Sequence, residues 1–168
     1  MRYIIPFFCV LFFAVNKAYS QDPSFTQFYS NPIYLNPAFA GSNGCPRFAA
    51  NYRNQWPSLS GNYVTYAAAY DQYFKNISGG IGVLATHDMQ GQGTIQTSML
   101  GLIYSYHLSV TRKFSLMFGA RAAWYQKFLD WDKLTFGDMI DPRKGFIYQT
   151  GDVPRGGTRG FFDASAGI

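Results

Sequence analysis

The stretch FSLMFGARAAWYQK, from Phe114 to Lys127, limits the fold more than any other part of the chain. Phe114, Leu116, Phe118, Ala120, Ala122 and Trp124 fall on one parity, and Ser115, Met117, Gly119, Arg121, Ala123, Tyr125 and Lys127 on the other. Successive side chains of a strand point to opposite faces, so this is a strand meeting two solvents. Strands of soluble domains run about 5 to 6 residues. A tilted membrane-spanning strand needs about 9 to 11 and carries aromatics at the interface, as Trp124 and Tyr125 would be here.

The same alternation recurs along the chain. Arg47 to Asn54 sets Phe48, Ala50 and Tyr52 against Arg47, Ala49, Asn51 and Arg53. Tyr63 to Asp71 sets Val64, Tyr66, Ala68 and Tyr70 against Tyr63, Thr65, Ala67, Ala69 and Asp71. Gly79 to Thr86 and Thr94 to Leu108 follow, the latter joined to the Phe114 strand by a tight turn. Phe162, Ala164, Ala166 and Ile168 then alternate with Asp163, Ser165 and Gly167 as a sixth strand. QWPSLSG (55–61), HDMQGQG (87–93) and the region from Phe128 to Gly160 read as loops at one end, with short turns near Lys75 and Arg112 at the other. The fold class expected is therefore all-β, an antiparallel transmembrane β-barrel of the outer-membrane type. About six strands are too few to close a membrane barrel, whose smallest single-chain forms have about 8. An N-terminal portion of a truncated barrel is expected, with a self-associating half barrel as the alternative.

Residues 1–20 read as a cleaved signal peptide: Arg2, an apolar run from Tyr3 to Val15, then Ala18, Tyr19 and Ser20 before Gln21. The run is too short for a membrane helix, which needs roughly 20 residues. Aromatics at 19% with charged residues at only 14% suit a barrel, whose two faces average to modest hydropathy. The formal charge of +5 includes Arg2 and Lys17, so the mature chain is nearer +3 by subtraction, which gives no basis for nucleic-acid binding. Cys9 lies in the signal and Cys45 is left without a partner for a disulfide framework.

Residues 21–46 form a Pro- and aromatic-rich segment, and 47–168 the first part of the barrel. Pro23, Pro32 and Pro37 fix extended backbone with room for a short helical turn, while the aromatics demand a surface to pack on. Phe28, Tyr29, Asn31, Pro32, Tyr34, Asn36 and Pro37 are accordingly the candidate partner-binding or plug residues, the segment being either a lumen plug or a periplasmic docking strip. Arg47, Arg53, Arg121 and Lys127 are the candidate lumen-facing charges. They either set selectivity or simply avoid lipid, where a basic residue costs about 2 to 4 kcal/mol near the midplane.

Catalysis requires a nucleophile, a base and an orienting group together. His87 beside Asp88 in a loop and His107 at a strand end do not supply them. Asp130, Asp132, Asp138 and Asp141 lack the spacing of a calcium loop, and GGIGV lacks the context of a dinucleotide site. No catalytic residue, metal or cofactor is assigned.

DPSFTQFYSNPIYLNPAFAG, NYRNQWPSL, YAAAYDQ, GGIGV, YSYHL and WDKLTFGDMID follow one another in order across nearly all of the mature chain. In these blocks the sequence resembles the PorP/SprF family of outer-membrane proteins of type IX secretion and gliding. The resemblance implies a non-enzymatic protein of the cell outer membrane, surrounded by outer-membrane lipid. Its implied partners are the periplasmic ring and peptidoglycan-linked components of the apparatus and secreted adhesins bearing a C-terminal sorting domain. A passive outer-membrane pore is the alternative function.

Overall fold

The structure, a computed structural model, describes residues 25–59, 61–111, 114–141, 143–147, 150–151 and 157–168. The signal peptide and the first residues of the N-terminal segment lie outside these. Three short helical turns, Phe28–Ser30, Pro32–Leu35 and Pro37–Phe39, lead into strands β1 (Arg47–Gln55), β2 (Tyr63–Phe74), β3 (Gly79–Gln90), β4 (Ile95–Thr111) and β5 (Phe114–Leu129). A small hairpin, β6 (Ile140–Asp141) with β7 (Gly145–Phe146), precedes β8 (Thr158–Gly167). Strands β1-β2-β3-β4-β5-β8 form one antiparallel sheet in that order, and the sheet is open. The chain is all-β in class, and none of its described helices is long and apolar enough to cross a membrane.

Strand parity sorts the side chains as the alternation demands. Phe48, Tyr70, Val83, Leu102, Ala122 and Ala164 stand in one cross-strand register row, all exposed on what we term the bare face. One position along, Ala49, Ala69, Leu84, Gly101, Ala123 and Asp163 form the next row on the opposite face, where Ala69, Leu84 and Ala123 are buried. The N-terminal segment lies against this second, covered face. Its Ile33 is 1% exposed and joins Ala69, Leu84, Met99, Ile103 and Ala123 in the core.

The strands outrun their apolar stretches. β4 holds 17 residues and β5 16, beyond the roughly 9 to 11 that a tilted span needs. Strand β3 likewise continues to Gln90, so the loop expected at 87–93 shrinks to the turn after it, with left-handed backbone at Gly91, Gln92 and Gly93. Polar cross-strand pairs carry the ladder that far: His87 Nδ1 lies 2.9 Å from Ser98 Oγ on one face, and Thr65 Oγ1 donates to Asp88 Oδ1 at 2.6 Å on the other. His87 and Asp88 are thus strand residues pointing to opposite faces rather than a loop pair. The irregular region expected at 128–160 is also trimmed, because Phe128 still pairs with Thr158.

Candidate functional site

Residues 36–41 cross the covered face from its last strand to its second. Asn36 Nδ2 donates to Ile168 O at 3.0 Å, at the end of β8. Ser105 Oγ of β4 donates to Ala38 O at 2.7 Å. His107 Nε2 lies 3.0 Å from Ala40 O, and Gly41 N donates to Asp71 Oδ2 of β2 at 2.8 Å. Backbone groups that would be orphaned by burial therefore find side-chain partners strand by strand, as buried main chain must.

The close approach follows from a row of small residues. Gly80, Ser105, Gly119 and Gly167 are register neighbours across β3, β4, β5 and β8. A Cβ at Gly80 would overlap the Ala40 carbonyl, one at Gly119 the backbone of Pro37 and Ala38, and one at Gly167 the Asn36 amide. The row is a trough cut for main chain. Gly41, at φ +72 and packed on Gly80, turns the segment toward β1. Upstream, Pro32 and Pro37 each open a helical turn, where a missing N–H costs nothing. The Asn36 side chain accepts from Ala38 N at 2.9 Å and so caps the second of these.

Arg47, the first residue of β1, anchors the exit. Its Nε and Nη2 reach Asp71 Oδ1 and Oδ2, both at 2.9 Å, and Nη2 also donates to Phe39 O at 3.2 Å. Asp71 is 1% exposed, and its two oxygens accept the guanidinium fork and the Gly41 amide together. Such bidentate, fully bonded geometry offsets the loss of water around a buried carboxylate.

The candidate segment residues are divided by this packing. Asn31 is buried with neither amide atom hydrogen-bonded, and Pro32, Tyr34, Asn36 and Pro37 are partly buried. Phe28 and Tyr29 are exposed at 54% and 65% and touch each other edge to face. Arg47, Arg53, Arg121 and Lys127 all lie on the covered face but in different company. Arg47 pairs with Asp71. Arg53 reaches Gln55 Oε1 at 2.8 Å. Arg121 donates to Ser165 Oγ at 3.0 Å and lies 3.8 Å from Asp163. Lys127 sits 5.9 Å from the Phe161 ring centroid.

Sequence reading missed the residues that hold the segment: Ile33, Ala38, Ala40 and Gly41 on it, and Asp71, Ser105 and Gly119 beneath it. Small residues at one register height were visible in the strands, but their alignment depends on pairing that the linear sequence does not display. Among the described residues no group of three or more His, Cys, Asp or Glu is placed to hold a metal ion.

Comparison with curated proteins and with solved structures returns no match. The model of the family described as type IX secretion system membrane protein PorP/SprF matches residues 17–168. That span takes in the crossing segment and all six strands beneath it, and the chain belongs to the PorP/SprF family of type IX secretion system membrane proteins.

Proposed function

We propose that the sheet is wall from an outer-membrane β-barrel, exported by a cleaved signal peptide, with the N-terminal segment as its lumenal plug. The protein acts as a non-enzymatic component of type IX secretion. It binds periplasmic ring and peptidoglycan-linked components and helps to secrete or surface-anchor adhesins with a C-terminal sorting domain. The observation carrying this is the division of labour between faces. The bare face exposes Phe48, Tyr66, Tyr70, Leu100, Leu102, Tyr104, Phe118, Trp124 and Phe162, far more contiguous apolar surface than a soluble monomer tolerates. The covered face keeps its charges paired or near water. The crossing segment counts against a passive open pore.

Single cysteines in a Cys45→Ser background test the wall. In membranes, Leu102→Cys and Trp124→Cys are expected to resist a water-soluble maleimide while Lys127→Cys reacts. Equal reactivity would refute the wall. Co-purification of ring components, set beside planar-bilayer conductance, tests the role: a steady open channel with no co-purified partner would leave the pore reading in its place.

A further inference from the structure

At the loop-bearing end of the covered face one register row reads Arg53, Thr65, Asp88, Thr97, Lys127 and Arg159. Lys127 stands directly opposite Arg159, and both are exposed. Like charges directly opposite in a ladder are destabilising. Neither cation has a carboxylate within ion-pair distance among the described residues. The one acid of the row is already engaged, Asp88 accepting from Thr65 Oγ1 at 2.6 Å and from Gln90 Nε2 at 2.8 Å. In the adjoining row Tyr125 and Phe161 stack with centroids 5.1 Å apart and planes 1° from parallel, and Lys127 lies over Phe161. Farther down, Arg121 is taken up by Ser165 and Asp163. Lys127 and Arg159 thus stand at one height, beside the exposed Phe161 ring and toward the loop-bearing end from the crossing segment.

We infer that this row is a binding site for an acidic, extended stretch of polypeptide. The inference rests on the reading of the covered face as lumen. Carboxylates on one face of an extended chain recur about every 6.6 Å, a spacing that the long side chains of Lys127 and Arg159, carried on strands about 4.8 Å apart, can splay to meet. The stacked rings offer apolar contact to the side chains between them. A polypeptide is favoured over other polyanions because the family serves a secretion system. Binding relieves the repulsion between Lys127 and Arg159, so the ligand returns what the free row gives up in stability.

The test is fluorescence anisotropy with fluorescein-labelled octaglutamate on the protein purified from membranes in detergent, with octaserine and octalysine as controls. Octaglutamate is expected to bind, more weakly as salt rises. The double variant Lys127→Gln with Arg159→Gln should lose at least roughly tenfold in affinity. The same exchange at Arg143 and Lys144, exposed in the β6–β7 turn, should leave affinity within about twofold. The first double variant should also melt at a higher temperature than the parent, because it removes a like-charge pair, which separates lost binding from lost folding. Binding no tighter than octaserine, an equal loss in both double variants, or a lower melting temperature would each overturn the site. Displacement by inorganic polyphosphate more readily than by unlabelled octaglutamate would reassign it to phosphate. The Trp124→Cys labelling result stands apart: lipid shielding without peptide binding sinks only this inference, whereas reactive Trp124→Cys with peptide binding sinks only the lumen.

Discussion

Asp71 ties the N-terminal segment to the sheet, because three donors from two separate segments converge on its two oxygens. Asp71→Ala strands a partly buried guanidinium and a buried amide together. A loss of about 3 to 5 kcal/mol is expected, read as a fall in the denaturant midpoint of the detergent-solubilised protein. Asp71→Asn should cost less, since the amide can still accept from Gly41. In the long loop, Asp138 responds to pH instead. Gly151 N and, next, Thr150 Oγ1 donate to its Oδ2 at 3.0 and 2.9 Å, holding its carboxyl below the ordinary carboxylate range. A folded-state pKa below the unfolded one means the contact contributes fully above the ordinary value and is lost as pH falls through the lowered one. Amide exchange at Gly151 should therefore stay protected at neutral pH and lose protection only in strong acid; protection unchanged in Asp138→Ala, which removes the acceptor, would sink this.

At the scale of elements, the segment 25–44 and its trough can be separated by mutation. Ile33→Ala empties a filled core position and should cost about 2 to 5 kcal/mol. Gly119→Val should instead push Pro37 and Ala38 off the sheet while leaving the strand ladder intact, detected as new proteolytic cleavage before residue 44 with unchanged far-UV circular dichroism. The strands themselves were legible from period-two alternation, because each gathers its large apolar side chains on one face and β-pairing cannot shift by one residue without inverting it. Their ends were less so. His87 to Gln90 carry turn-like chemistry, yet pairing with β2 and β4 keeps them extended. The segment was legible as something that must pack, through its prolines and aromatics. Where it packs was not, since Gly80, Ser105, Gly119 and Gly167 become a trough only once register aligns them. The exposed Phe28 and Tyr29 stood out in the sequence, whereas the inconspicuous Ala38 and Ala40 are buried at 2% and 0%.

For the whole molecule, the proposal of a plugged lumen makes a statement about transport. Six strands at about 4.8 Å spacing give a wall roughly 24 Å wide, and residues 36–41 run from β8 back to β2 across most of it. Deleting residues 25–41 from the PorP/SprF protein should convert a silent barrel into a conducting one in planar bilayers. An equally silent deletion would show that the segment does not gate the lumen. The hydrogen bond from Asn36 to Ile168 joins residues 132 apart, and contacts of such sequence separation form late, after local hairpins have closed. Docking of the segment is thus expected among the last steps of folding. Until β8 has joined the sheet the trough has no far end, so docking of the segment doubles as a check that the sheet beneath it has been laid in order.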